Sequence, residues 1–206
     1  MRHFDPKLAL ALVVAVIAID ALWELVVGST GPIAYALVDE PAHLATCVVL
    51  LLAIATVARG RLSPLFVGAA LIASVAIDLD HVPDLLGSHL VTGGLPRPYT
   101  HSIGLVVLLV ALATVLKRGE QRQVALGSAF GVCAHLLRDA ATGPGVPLLW
   151  PLSNGVVKLP YLAYAAALVL VAAGAALMTR SGRLWRRRSR RLPVRPLPSA
   201  GLRGDS

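Results

Sequence analysis

Four short stretches of the chain place histidines and carboxylates at spacings that suit a shared centre. The first covers residues 39–43 and reads Asp-Glu-Pro-Ala-His. Pro41 suits the first turn of a helix, and Glu40 and His43 lie three residues apart, which puts both on one helical face. Both side chains can therefore point to one centre.

The second stretch, Asp78–Asp84, carries three carboxylates and an imidazole within seven residues. It closes a predicted helix on which Asp78 and His81 share a face, and Pro83 is expected to stop that helix just before Asp84. So many charged groups near hydrocarbon carry a large desolvation cost. A bound cation is the simplest way to satisfy them.

The third and fourth stretches add two further imidazoles. In residues 97–102, Thr100 is a plausible N-cap, so His101 is expected to open a helix at the membrane interface. His135 and Asp139 have the i,i+4 spacing that chelating pairs on helices require.

Each stretch alone also fits a structural histidine or a solvated cap, but together they predict a metal site. Imidazole with carboxylate suits zinc, manganese or iron, and magnesium if carboxylates dominate. Five or more ligands exceed what one open catalytic zinc needs, which favours two ions sharing a bridging Asp over one ion. The i,i+4 pair Asp20 and Glu24 either orients ligand imidazoles or is solvated at the interface.

The composition places these stretches in a membrane protein. Hydrophobic residues make up 56% of the 206-residue chain, 15% are charged, and the mean hydropathy is +0.74, which excludes an ordinary soluble domain. The apolar residues form blocks close to the ~20 residues that cross a bilayer. We predict an all-α, polytopic transmembrane bundle of about six short helices, at Leu8–Gly28, Pro41–Ala58, Pro64–Ile77, His101–Leu116, Val124–Thr142 and Pro160–Thr179.

The charges predict how this bundle is oriented. If six helices cross, almost all Lys and Arg residues fall on one side, so both termini are expected in the cytoplasm. The acids and histidines of the four stretches then gather at the extracytoplasmic ends. We predict a multi-pass protein of the inner (cytoplasmic) membrane.

Two domains follow from the change in composition after Thr179. Residues 1–179 form the predicted membrane-embedded enzyme domain, and residues 180–206, rich in Arg and Pro, form a predicted disordered cytoplasmic tail. The tail either contacts anionic headgroups or only sets the topology. Nothing in it indicates nucleic-acid binding.

The motifs resemble the membrane-bound metal-dependent hydrolase family, whose members are also described as LexA-binding, inner-membrane-associated hydrolases. The similarity lies in Glu40–His43, in the Asp-x-Asp-His of residues 78–81, in the Arg-x-x-Thr-His-Ser of residues 97–102 and, most specifically, in the block His135–Pro151. It covers most of residues 40 to 160, and the Arg-rich tail lies outside its pattern. LexA binding is not carried over to this chain.

The resemblance implies a polytopic enzyme whose metal is held by one set of side chains. These are His43, Asp78, Asp80, His81, His101, His135 and Asp139. Arg97 corresponds to the basic residue that precedes the Thr-His-Ser motif.

The function that we expect is hydrolysis of an ester or phosphoester at the extracytoplasmic face. A bound ion lowers the pKa of a water toward about 7 and polarises the scissile bond. Arg97 and Arg138 would stabilise an anionic substrate, and the general base is one of Glu40, Asp80 and Asp84. The predicted cofactor is one or two divalent ions, zinc first, and the predicted partners are membrane lipids and a lipid or lipid-linked substrate.

Two other functions remain open from the sequence. A metal or ion transporter requires ionisable residues in the cytoplasmic half of the helices as well, and that half is almost wholly apolar. A noncatalytic membrane regulator with a structural metal requires a closed coordination shell, which no sequence pattern reveals.

Overall fold

The structure is a computed structural model, and it describes residues 6–26, 32–58 and 61–189. These residues form helices joined by turns, with a single isolated β-bridge between Val146 and Val157. The helices are α1 (Pro6–Val26), α2 (Pro32–Val57), α3 (Pro64–Ala76), α4 (Val82–Leu85), α5 (Ile103–Val115), α6 (Gly119–Ala141) and α7 (Tyr161–Ser189), and a 3-10 turn (Ile77–His81) joins α3 to α4. The predicted all-α fold is confirmed.

Three segments of the described chain are long and apolar enough to cross a membrane. They are Val38–Val57, Pro64–Leu85 and Tyr161–Thr179, and the apolar Ile103–Val115 is shorter. The helix α3, the 3-10 turn and α4 together make up the second of these segments. The prediction that six helices cross remains a prediction.

Helices α3 and α6 pack almost backbone to backbone because α6 carries glycines where they meet. A Cβ atom placed on Gly127 would lie 2.3 Å from the carbonyl oxygen of Phe66, and one on Gly131 would lie 2.2 Å from that of Ala70. No larger residue fits there without moving α3. The start of α3 is also defined, because the Ser63 hydroxyl accepts a hydrogen bond from the Phe66 N–H at 3.0 Å.

A separate core holds α1, α2 and α7 together. Its fully buried members include Val16, Val49 and Leu168, one from each of these helices. The buried hydroxyls of Thr46 and Tyr164 lie 2.6 Å apart and add a polar contact between α2 and α7.

Several predicted boundaries are wrong. The helix α2 begins at Pro32, so Pro41 lies inside it and not in its first turn. Pro83 does not stop a helix, since it lies in the first turn of α4, where its missing N–H is not needed. Thr100 is not an N-cap, because α5 begins at Ile103, and α7 continues to Ser189, beyond the predicted end at Thr179.

The chain order brings four helix ends to one end of the bundle. The helix α2 runs away from that end, α3 returns to it, α5 runs away again and α6 returns. The third turn of α2, the end of α3 with the 3-10 turn, the loop before α5 and the end of α6 therefore lie together, and each carries one of the four polar stretches.

Candidate metal centre

His135 and Asp139 on α6 form the buried base of the centre. Both side chains are fully buried, and His135 Nε2 lies 3.0 Å from Asp139 Oδ2. His135 Nδ1 lies 2.9 Å from the backbone carbonyl oxygen of Ser74 on α3. A carbonyl only accepts hydrogen bonds, so Nδ1 carries the proton and the Nε2 lone pair is left free, as in histidines that bind metals.

Asp78, in the 3-10 turn, is the carboxylate on which three imidazoles converge. Its Oδ1 lies 3.0 Å from His101 Nε2, 3.4 Å from His135 Nε2 and 3.6 Å from His81 Nε2. The 3-10 turn places residues 78 and 81 on the same side, since residues three apart eclipse there. Asp78 therefore joins histidines from three different parts of the chain.

His101 lies in the loop before α5, fully buried among carboxylates. Its Nδ1 lies 3.3 Å from Asp80 Oδ2 and its Nε2 lies 3.5 Å from Asp139 Oδ2. The Thr100 hydroxyl donates a hydrogen bond to Asp80 and holds that carboxylate in place. Burial lowers the pKa of His101, but the carboxylates of Asp78 and Asp80 outweigh it and raise the pKa above its usual value. This strongly negative environment favours a cation.

The helix α2 adds His43, which lies over the same centre. His43 Nε2 is 3.3 Å from Asp39 Oδ2 and 3.3 Å from Asp139 Oδ1. The His43 ring stacks on that of His135, with centroids 3.8 Å apart and planes 10° apart. Two helices thus deliver parallel imidazoles to one carboxylate.

Many polar atoms of this cluster are buried without a hydrogen-bond partner. They include both ring nitrogens of His43, His81 Nε2, His101 Nδ1, His135 Nε2, Asp80 Oδ1 and Asp139 Oδ1. Leaving such groups unsatisfied is costly. An ion with bonds of about 2.1 Å holds its ligand atoms about 3.0–3.4 Å apart, close to the spacings observed here, so the donor set fits a metal.

The potential ligand atoms fall into three groups, each within 4.8 Å, that all contain Asp78. One group is Asp78, His101, His135 and Asp139, the second is Asp78, Asp80, His81 and His101, and the third is Asp39, His43 and Asp78. All seven predicted ligands appear in these groups. Asp78 is the residue that all three groups share.

The two predicted substrate arginines have different surroundings. Arg97 forms an ion pair with Asp139 (Nη1 to Oδ2, 2.8 Å), its Nε has no hydrogen-bond partner, and it lines the cavity beside the cluster. Arg138 is fully buried and donates to Asp39 at 2.6 Å and to Asp20 at 2.7 Å. Its placement contradicts the predicted substrate contact, because both terminal nitrogens are bound to aspartates.

Arg138 gives Asp20 and Asp39 structural roles that the sequence reasoning missed. Asp20 on α1 also accepts a hydrogen bond from the Tyr161 hydroxyl at 3.0 Å, and Asp39 also contacts His43. In the sequence, the i,i+4 spacing of Asp39 and His43 indicates that these two side chains can contact each other. Asp20 thus does not contact a ligand imidazole directly, and the Glu24 side chain lies outside the described residues.

The predicted general bases are also placed differently. Asp84 belongs to none of the three ligand groups and pairs with exposed His89, at 2.7 Å between Oδ1 and Nδ1. Asp80 is occupied by Thr100 and His101. Glu40 lines the cavity next to Asp78 and has a buried Oε2 without a hydrogen-bond partner.

A cavity of about 860 Å³ opens beside the cluster. Asp39, Glu40, Asp78, His81 and Arg97 line its polar part, and its other walls are largely apolar. The cluster is therefore open to a small molecule on one side.

These features define a class: a helical membrane protein with a buried histidine–aspartate cluster at one end of its bundle. The family model described as YdjM inner membrane protein matches residues 38–196, more than three quarters of the chain. The chain belongs to this family. No curated protein and no solved structure matches the sequence.

The match confirms the inner-membrane part of the predicted resemblance and extends it. It includes the four polar stretches and the first part of the Arg-rich tail, up to residue 196. Residues 190–206 lie outside the described structure.

Proposed function

We propose that the protein is a metal-dependent hydrolase that cleaves an ester or phosphoester at the extracytoplasmic face of the inner membrane. The observation that carries this proposal is the convergence of three possible ligand groups on Asp78 next to an open cavity. When bound there, one or two divalent ions, zinc first, supply an acidified water and polarise the scissile bond.

The residues of the chain suggest how the reaction is supported. Arg97 is nine-tenths buried and carries an unpartnered Nε, so its guanidinium suits the negative charge that develops on an ester or phosphoester oxygen. Glu40 is the best-placed proton acceptor, since it faces the cavity and its Oε2 has no hydrogen-bond partner.

The structure favours this proposal over the two alternatives. A regulator with a structural metal needs a closed shell, whereas the cluster borders a cavity of about 860 Å³. A transporter needs a polar path, whereas the buried side chains of the described halves of α2 and α3 beyond the cluster are mostly apolar.

The extracytoplasmic location rests on the basic residues at the opposite end of the bundle. Arg61 precedes α3, Lys117 and Arg118 lie in the turn between α5 and α6, and Arg122 lies in the first turn of α6. The cluster lies at the other end of α3 and α6. Basic residues mark the cytoplasmic side, so the cluster faces the other way.

The test is an assay of purified protein in detergent, stripped of metal and reloaded with zinc or manganese. Three chromogenic substrates are compared: a phosphodiester, a phosphomonoester and a carboxylic ester. We expect turnover of at least one substrate only after reloading. Glu40→Gln is expected to lower kcat by about 10²–10⁴-fold without changing the metal content.

The matched control is Glu120→Gln, which changes an exposed glutamate in the first turn of α6. It is expected to leave kcat unchanged. Absence of metal-dependent turnover on all three substrates would overturn the hydrolase proposal and favour the regulator.

A further inference from the structure

The cavity beside the metal cluster has two unlike parts. Its polar part ends at Arg97 and the cluster, whereas its longest wall is apolar and comes from one stretch of chain. That wall consists of Ile72, Val75, Ala76, Leu79, Val82 and Leu85, from α3, the 3-10 turn and α4. Ile72, Val75, Leu79 and Val82 follow one another at three or four residues, which places them on one face of the segment. A site for a small, water-soluble ester has no need of such a wall.

The apolar wall also belongs to the outside of the bundle. Ile72 is 69% exposed, Leu79 is 70% exposed and Leu85 is 63% exposed. They lie in Pro64–Leu85, a segment apolar enough to cross a membrane. An exposed apolar face of such a segment lies against lipid, so the cavity is open to the bilayer along this wall.

The part of the wall that leads from the cluster into the bilayer runs from Asp78 back to Ile72. These six residue steps span roughly 9 Å at about 1.5 Å per residue. The first part of an acyl or prenyl chain can therefore lie along this part of the wall while its headgroup reaches Arg97, and the rest of the chain extends into the bilayer.

The polar part suits a phosphate. Arg97 is only 6% exposed and its Nε has no hydrogen-bond partner. Asp139 forms an ion pair with only one terminal nitrogen of Arg97, Nη1. Buried arginines recognise phosphate oxygens through paired N–H donors.

We propose that the wall of α3, the 3-10 turn and α4 binds the hydrocarbon chain of an amphiphilic phosphate, which enters from the bilayer and places its phosphate at Arg97. The cleavage of this amphiphile rests on the proposed hydrolase function, whereas its binding does not. Leu79, which follows Asp78 in the sequence and lines the cavity, is the residue expected to contact the first part of the chain.

The test is photo-crosslinking in lipid nanodiscs with metal-loaded protein. The probe is a long-chain alkyl phosphonate with a diazirine in its chain, because its carbon–phosphorus bond resists hydrolysis. The comparison probe is the long-chain alcohol with the same diazirine. We expect the phosphonate to label residues 72–85 about tenfold more than the alcohol does, a difference that corresponds to about 1.4 kcal/mol.

Two variants sharpen the result. Leu79→Asn is expected to reduce the phosphonate labelling several-fold while the metal content stays unchanged. The matched control is Leu162→Asn, which changes an 80% exposed leucine of α7 that does not line the cavity. It is expected to leave the labelling unchanged.

Competition with short butyl phosphonate and with inorganic phosphate separates the chain from the headgroup. We expect unlabelled long-chain phosphonate to displace the probe at concentrations where these two do not. Equal labelling by both probes means ordinary lipid contact and overturns the inference. Displacement of the probe by inorganic phosphate at the same concentration as the long-chain phosphonate also overturns it. Both results are informative whether or not the protein hydrolyses a substrate.

Discussion

At the residue scale, the centre depends on local spacings that the sequence shows and on partners that it does not. The i,i+3 and i,i+4 spacings place His43, His81 and His135 each beside a carboxylate of its own stretch, whereas His101 meets carboxylates of other stretches. The structure gives Asp84 and Arg138 partners that their helical spacing does not indicate, namely His89 for Asp84 and the aspartates of α1 and α2 for Arg138. Spacing along one helix carries no information about such partners.

Arg138 provides a test of this buried network. Arg138→Met removes the cation that satisfies Asp20 and Asp39 and leaves two buried carboxylates without it. Breaking a buried ion pair in this way costs about 3–5 kcal/mol. We expect a clearly lower midpoint of thermal unfolding in detergent.

The control for Arg138 is Arg122→Met, an exposed arginine on the same helix. The midpoint of thermal unfolding of Arg122→Met is expected to match that of the unaltered protein. If Arg138→Met is as stable as this control, Arg138 does not hold the network together.

At the scale of elements, apolar blocks predicted the number and order of the long helices but not their ends. Proline was the misleading signal, since Pro41 lies inside α2 and Pro83 begins α4. The 3-10 turn between α3 and α4 had no recognisable sequence signal, yet it orients Asp78 and His81. The position of α3 is determined by its packing against α6, and a local sequence pattern does not reveal such a tertiary contact.

The contact between α3 and α6 can be tested through Gly131. A Cβ atom there meets Ala70 O at 2.2 Å and Ser74 N at 3.0 Å. Because the Ser74 carbonyl contacts His135, Gly131→Ala is expected to shift α3 and weaken metal binding, as well as to destabilise the bundle by about 1–3 kcal/mol. Thermal unfolding and metal titration measure both effects.

Gly174→Ala is the matched control, since a Cβ at this position in α7 meets nothing within 4 Å. It is expected to stabilise the protein slightly because alanine favours a helix over glycine by about 0.5–1 kcal/mol. If Gly131→Ala and Gly174→Ala have the same midpoint of thermal unfolding and the same metal affinity, α3 and α6 do not approach as closely as described.

At the scale of the whole molecule, the account requires the cluster and the basic turn between α5 and α6 to lie on opposite sides of the membrane. Ser153 lies in the loop before α7, and Gln121 lies at the start of α6, and both are exposed. In a protein whose Cys47 and Cys133 are replaced by alanine, we expect a membrane-impermeant maleimide to label Ser153→Cys on intact cells. Gln121→Cys is expected to react only after the cells are opened, and the reverse pattern would invert the proposed orientation.

The central claim is that Asp78, His101, His135 and Asp139 hold a metal together with their neighbours. Its most direct test is elemental analysis of the purified protein, comparing the unaltered chain with His135→Ala, Asp139→Ala and the control His89→Ala. We expect one or two divalent ions per chain, a loss of bound metal in the first two variants and no change in the control. A metal content that neither His135→Ala nor Asp139→Ala alters would contradict the account.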